Sequence, residues 1–274
     1  MGCAHISPEK GGLTDVACGT PVCRKDGPPV KTSLITVPAF ASARSGVCHF
    51  FGTRQYSARL ALPIGEPAHA KNINGEAHPS WMLSVKQVHG TDALVVDRAI
   101  TSSDRFLDGW DALVTDQPRV MVAVRTADCV PVLMHDPMRK VVAAVHAGWR
   151  GAVAGIVQKT MAVMETRFGS SPEHLHVSIG PSAGACCYEV DQPVLDRLHQ
   201  TCPNPDNVVR GRKEGKGYLD LKALVRDQAR DAGARADSIT AVNLCTICHE
   251  DLFYSYRREG RVIGTMVSAI GLFP

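Results

Sequence analysis

Between residues 81 and 146 the chain strings together six short apolar segments rich in Val, Ala, Leu and Thr: 81–88, 93–96, 112–115, 120–125, 130–135 and 141–146. This density constrains the fold more than any other feature. Turn signals such as Gln117-Pro118 and Asp136-Pro137 separate several of these runs, and the gaps between the later ones leave no room for a helix. Strands follow one another directly instead of alternating with helices, so mixed sheets with helices outside them are expected. Two more strands are read upstream, over 33–37 and 47–51. The stretch 55–80, with Pro63, Pro67 and Pro79, reads as loop with at most a short helix.

Downstream, Val153, Ile156, Val157, Met161 and Met164 recur at helical spacing, which predicts a helix over 151–168 that Gly169 and Pro172 stop. Further helices are expected over 194–200 and 221–232, and strands over 177–179 and 239–243. The chain closes with apolar segments at 253–257 and 262–268. The fold class read from this order is α+β, with one catalytic domain over 32–274. Residues 1–31, rich in Gly, Pro and polar side chains without periodicity, read as a flexible extension.

Composition excludes several classes. The 274 residues carry 30 basic and 27 acidic side chains, a net +3 with no long run of like charge, which argues against nucleic acid or a membrane surface as partner. No apolar run approaches the roughly 20 residues needed to span a bilayer. The first residues lack the apolar centre of a signal peptide, so a cytoplasmic location is expected, with the ten cysteines as reduced thiols.

Reactive side chains gather in three segments that each follow an apolar run and end at a glycine or an abrupt break. These are Gln87-Val88-His89-Gly90, Thr126-Ala127-Asp128-Cys129-Val130-Pro131 and Ala144-Val145-His146-Ala147-Gly148-Trp149-Arg150-Gly151. Two imidazoles and a thiolate, His89, His146 and Cys129, suit a borderline-soft ion such as zinc and leave a fourth position open for water or substrate. Taken singly, each reads rather as a buried histidine or an inert cysteine. A cysteine hydrolase, with Cys129 as nucleophile and His146 as base, would use the same residues without a metal.

These segments, together with Asp111-Ala112-Leu113-Val114-Thr115, Gly180-Pro181, Cys186-Cys187-Tyr188-Glu189-Val190, Cys245-Thr246 and Tyr254-Ser255-Tyr256-Arg257-Arg258, occur in one order over residues 46–268. In this the chain resembles the family labelled laccase-domain or polyphenol oxidase proteins, also called peptidoglycan editing factors. The resemblance implies an α/β/β/α sandwich. It implies metal ligands at His89, Cys129 and His146, and zinc-dependent chemistry on purine nucleosides. That chemistry covers phosphorolysis of adenosine, inosine, guanosine and methylthioadenosine, and deamination of adenosine. Copper is the alternative ion. A laccase-like phenol oxidase and an amidase acting on a peptidoglycan precursor are the alternative activities. The segment Phe51-Gly52-Thr53-Arg54 matches the family pattern, but Gln55-Tyr56-Ser57 and Leu60-Ala61-Leu62 depart from it.

Several further residues are read two ways. Arg150 and Gly151, at the start of the expected helix, suit an anion, unless Arg150 pairs with Asp128. The resemblance implies that Arg54 holds phosphate or nucleoside. Asp128 is a catalytic candidate, as a general base or as the partner that orients a histidine, or else a structural acceptor. Cys186 and Cys187, being adjacent, read as packing or rim residues. Cys245-Thr246-Ile247-Cys248-His249 matches a haem-attachment pattern in form only, and a zinc site at Cys245 and Cys248 would need a second pair nearby.

Overall fold

Side chains alternate from one face of a strand to the other, and that period of two decides how the layers stack. The computed structural model describes residues 34–40, 46–58, 60, 62–69 and 81–273; the extension expected over 1–31 lies outside them. One six-stranded sheet has the order β1 (Leu34–Ile35), β2 (Val47–Gly52), β15 (Met266–Leu272), β7 (Val120–Thr126), β4 (Trp81–Ser84) and β3 (Ala68–His69). A second has the order β14 (Ile239–Ala241), β10 (His176–Ile179), β8 (Val130–Asp136), β9 (Val141–Ala147), β6 (Ala112–Thr115) and β5 (Ala93–Val96). Both sheets are mixed: β4 runs parallel to β7, β5 to β6 and β10 to β14, and the other pairs are antiparallel.

The two sheets pack face to face. In β7, Val120, Val122 and Val124 point into the space between them, while Met121 and Ala123 point outward. In β9 the assignment is Val142 and Ala144 inward, and Val141, Ala143, Val145 and Ala147 toward the helices. Each buried Val or Leu contributes about 1.5–3 kcal/mol, so a one-residue slip of either strand would exchange its two apolar faces and is strongly disfavoured.

Helices α2 (Trp149–Val153), α3 (Ile156–Phe168), α4 (Gln192–Thr201) and α5 (Leu221–Asp231) cover the outer face of the second sheet. Among the described residues, α1 (Arg54–Ser57) and the residues after it pack on the outer face of the first sheet, through Tyr56, Leu60 and Leu62. The helix–sheet–sheet–helix order is therefore present, with a single helical turn in one outer layer among the described residues. The last helix, α6 (Tyr256–Glu259), precedes β15. No helix among the described residues is long and apolar enough to cross a membrane.

The strands read over 33–37, 81–88 and 239–243 are shorter, at Leu34–Ile35, Trp81–Ser84 and Ile239–Ala241, and three further differences concern whole elements. The helix expected over 151–168 is two helices, because Gly155 takes a left-handed conformation (φ 81°) that ends α2 and caps α3. The segment read over 262–268 enters the sheet only at Met266. A small third sheet, in the order β11 (Glu189–Asp191), β13 (Lys216–Leu219) and β12 (Val209–Lys213), was not anticipated. Its strand β12 is exposed from Arg210 to Lys213 and offers no apolar alternation. The local signal was Glu214-Gly215, both at positive φ (50° and 77°) in the tight turn from β12 to β13.

Two buried histidines tie stability to pH. His49 Nε2 accepts the Val37 N–H at 2.8 Å, and the rings of His49 and His135 each meet Phe40 in a T-shaped contact. Burial first, then the repulsion of His135 on His49 and of His176 on His135, lowers each from 6.5 to about 4. Both are neutral when folded but take a proton when unfolded below about 6.5, so the unfolded state binds more protons there. Stability is expected to fall as pH drops from 6.5 toward 4, by about 3 kcal/mol per histidine. Denaturant titrations across that range should show the slope, and His135→Gln should reduce it; a flat profile would remove the assignment.

Candidate metal centre and its cavity

The register of three strands brings the candidate ligands to one end of the second sheet, on its inward face. In the β8–β9 pair, Val130 lies opposite Ala147 and Pro131 opposite His146, which sets Cys129 beside Gly148. In the β6–β9 pair, Ala112 lies opposite Val145, which sets Asp111 beside His146. The hairpin between β8 and β9 turns on Asp136, whose Oδ1 accepts the N–H groups of Met138 and Arg139.

Asp111 organises the group. It is fully buried, and its carboxylate accepts the N–H groups of Val88, His89 and Gly90 at 3.2, 2.9 and 2.6 Å, together with a 2.7 Å bond to His146 Nδ1. One carboxylate thus shapes the loop that carries one histidine and sets the ring of the other, leaving His146 Nε2 for the cavity. His89 sits at positive φ (61°), a conformation these three bonds hold in place. Gln87 secures the same loop from the other side, donating to Arg125 O and accepting the Arg125 N–H, both at 2.8 Å.

The ligand atoms of His89, Cys129 and His146 all lie within 4.8 Å of one another, with Cys129 Sγ 3.9 Å from His89 Nε2. Burial opposes ionisation of Cys129, but the charge and hydrogen bond of His146, followed by those of His89, lower its thiol to about 6. Burial likewise opposes a charge on His146, yet Cys129 and Asp111 raise it to about 9. Burial works against ionised Asp111 too, and the bonds from His146 and Gly90 outweigh it, holding the carboxyl below its ordinary value. A thiolate and two ring nitrogens would suit one borderline-soft divalent ion. Gly148 allows this approach: a Cβ there would lie 2.8 Å from His89 Cδ2 and 3.1 Å from Cys129 Sγ.

The group opens into a cavity of about 620 Å³, lined by Trp149, Tyr188 and Tyr256 and by the basic side chains of Lys86, Arg125, Arg150 and Arg257. Arg257 stacks over Tyr188 at 5.2 Å and Arg150 over Trp149 at 4.5 Å. Burial first, then the nearby Cys129, pushes the Tyr188 hydroxyl up to about 12. Among the residues expected from sequence, His89, Cys129, His146, Asp128 and Arg150 line this cavity, whereas Arg54 bonds Glu250 O at 2.6 Å and stacks on Tyr254. The helix beginning at Trp149 has only five residues, so an anion near Arg150 would depend on the guanidinium and not on a helix dipole. Asp128, at φ 91°, accepts from Thr246 Oγ1, Ser255 Oγ and Arg257 N at 2.6, 3.0 and 2.7 Å. Its carboxylate is thus engaged in joining three segments, and the carboxylate on His146 is that of Asp111.

Sequence reasoning passed over Asp111 as a functional residue, along with Lys86, Arg125, Tyr188 and Arg257. For Asp111 the signal was cross-strand register, which spacing does not carry. It also separated cysteines that the fold joins: the Sγ atoms of Cys186, Cys187, Cys245 and Cys248 lie within 4.8 Å of one another. Cys186 and Cys187 sit in a turn whose Cys187 and Tyr188 N–H groups both bond Gly184 O, so adjacent side chains reach the same side, as they would not in a strand.

A family model described as multi-copper polyphenol oxidoreductase laccase matches residues 69–273. The chain belongs to this family. Among its relatives, YlmD of Geobacillus stearothermophilus, named a purine nucleoside phosphorylase, is 33% identical over 256 residues, covering 85% of this chain and 92% of that protein. A Bacteroides thetaiotaomicron protein of the same name is 35% identical over 250 residues, 84% of this chain and 93% of that one. The crystal structure of YlmD from G. stearothermophilus matches with a TM-score of 0.71 at 31% identity, covering 87% of this chain and 94% of that one. That of the Bacillus licheniformis hypothetical protein YfiH matches with a TM-score of 0.72 at 29% identity, covering 91% of this chain and 98% of that one. The laccase-family description speaks of several coppers, but the three ligands gathered here suit a single ion.

If Asp111 sets the centre, Asp111→Asn should lower metal affinity about 10–100-fold, the usual effect of losing a ligand's hydrogen-bond partner. Gly148→Ala should do at least as much by crowding His89 and Cys129. Metal content after dialysis against a weak chelator, with circular dichroism as a control for folding, checks both. Retention equal to the parent would refute the role given to Asp111.

Proposed function

We propose that the chain is a zinc-dependent purine nucleoside phosphorylase that also deaminates adenosine to inosine. The observation that carries this reading is a His2Cys group opening into a cationic, aromatic cavity, in a chain about a third identical, over most of its length, to proteins named purine nucleoside phosphorylase. The cavity volume falls within the ~300–1,000 Å³ of small-molecule sites. Aromatic rings suit a purine, and four cationic side chains suit phosphate.

His89, Cys129 and His146 would hold the ion, which when bound supplies Lewis-acid activation of an oxygen nucleophile. Arg150 and Arg257 hold the phosphate and orient it toward the sugar. A phosphate oxygen attacks the ribose C1′, the bond to the purine nitrogen breaks, and its electron pair leaves with the base, which takes up a proton. The products are ribose 1-phosphate and free purine. In deamination a water oxygen attacks C6 of adenosine and the amino group departs as ammonia. Asp128, with its oxygens engaged, acts as a positioning residue that presents Cys129. A location in the cytoplasm, where nucleosides and phosphate are available, fits this chemistry.

Zinc is preferred to copper because the group offers one three-ligand site and two histidines, with no array of His-x-His pairs for several coppers. Adenosine should yield adenine only when phosphate is present, and inosine with or without it. Inosine, guanosine and methylthioadenosine should be phosphorolysed. Chelation should abolish both activities and added zinc should restore them. Arg150→Ala should raise the KM for phosphate roughly tenfold, equivalent to one charge-assisted contact of about 1.5 kcal/mol, and leave deamination less affected. No product from these four nucleosides, in zinc-loaded protein with phosphate, would refute the proposal and favour the amidase; phenol oxidation by copper-loaded protein alone would favour the laccase.

A further inference from the structure

Outside the lining of the cavity, four sulfurs converge from two loops. Cys186 and Cys187 lie in the turn after Ser182, and Cys245 and Cys248 follow β14. Paired backbone joins the loops: Ser182 bridges Cys245, the Thr246 N–H bonds Ser182 O at 3.0 Å, and the Ser182 N–H bonds Leu244 O at 3.4 Å. The four Sγ atoms lie within 4.8 Å of one another, with Cys186–Cys248 at 3.6 Å and Cys187–Cys248 at 3.2 Å. A tetrahedral ion with metal–sulfur bonds of about 2.3 Å needs sulfurs about 3.8 Å apart, so the four need only small shifts to take one ion. None of the four cysteines lines the catalytic cavity.

We propose that Cys186, Cys187, Cys245 and Cys248, with Cys248 reduced, form a second, tetrathiolate zinc site that staples the two loops together. Two neighbours of the sulfurs can offset the negative charge of an occupied site. The Gly184 N–H points at Cys245 Sγ at 3.3 Å, as backbone donors do toward metal-bound thiolates. Lys222 is buried, and its Nζ bonds Leu244 O, the carbonyl that precedes Cys245, at 2.8 Å. One zinc with four thiolates carries a net charge of −2, which this lysine partly balances. Gly184 clears the space, since a Cβ there would lie 3.3 Å from Cys186 Sγ and 3.5 Å from Cys245 Sγ. Four soft donors this close suit a single zinc ion and not an iron–sulfur cluster, whose bridging sulfides spread the thiolates farther apart.

Cys248 is in the disulfide form in this structure, so filling the site begins with its reduction. A dithiol gives two electrons to the disulfide, releasing the Cys248 thiol and its partner thiol, and itself ends as a cyclic disulfide. Zinc then displaces four thiol protons. The proposal is independent of the nucleoside reading, because it concerns ligands outside the catalytic cavity.

The test is zinc stoichiometry of the full chain, purified under reducing, oxygen-free conditions, loaded with Zn²⁺ and freed of excess. The expected result is two zinc ions per chain, falling to one in His89→Ala and to one in Cys245→Ser. Cobalt titration of the reduced parent keeps the test valid where a variant fails to fold: two equivalents should bind, with thiolate-to-cobalt absorption matching five sulfur ligands in total. Oxidised parent should bind only one. One zinc per reduced chain, lost entirely in His89→Ala, would overturn the proposal, as would cobalt absorption matching a single sulfur. Iron with acid-labile sulfide in the anaerobic preparation would also overturn the assignment to a single zinc.

Discussion

A buried carboxylate can remain charged only where several donors converge on it, and Asp111 meets that condition by drawing in the two structures that make the centre. Its oxygens gather three consecutive N–H groups of the 88–90 loop and the Nδ1 of His146. The loop bends around the carboxylate, and that bend carries His89 over Cys129. Removing the charge would leave three backbone donors and an imidazole without their acceptor inside the protein. The geometry of both histidines therefore traces to one residue that does not itself face the cavity.

The second carboxylate is used differently. Asp128 ties the loop before β8 to Thr246, Ser255 and the backbone of Arg257, so the segment bearing Cys129 is joined to the segments bearing Tyr256 and Arg257. Arg258 completes the connection, donating to the carbonyls of Thr246, Ile247 and Phe253. Of the two adjacent arginines, one holds backbone together and the other reaches the cavity.

What could be read in advance follows from the range of the physics involved. Strands 93–96 and 112–115 were read to their ends, since alternation and β-branched content are local properties and the neighbouring turns mark their limits. The three metal-ligand candidates stood out through the motifs around them. Asp111 did not, because its partners are met through strand pairing across 21 to 35 residues of chain. The sulfur cluster escaped for the same reason, with about 60 residues between its two pairs. The break at Gly155 was legible in principle, but one glycine inside a good apolar pattern reads as tolerated until its left-handed backbone is seen. Strand β12 presents the reverse case, a strand formed by pairing with β13 despite a charged, exposed sequence.

The tight turn after Asp136 gives the centre an order of assembly. Strands β8 and β9 form a hairpin closed by four residues, so Cys129 and His146 meet through the most local pairing in their sheet. His89 arrives separately, because its loop takes shape only once Asp111, just before the strand paired to the far side of β9, is in place. Loop closure is cheap for the first event and dearer for the second. A chain with only the hairpin formed would present a two-ligand half-site, which grips an ion weakly, and the third ligand would turn that grip into retention. Firm metal capture would then report that the sheet has closed, coupling the chemistry of the site to completion of the fold.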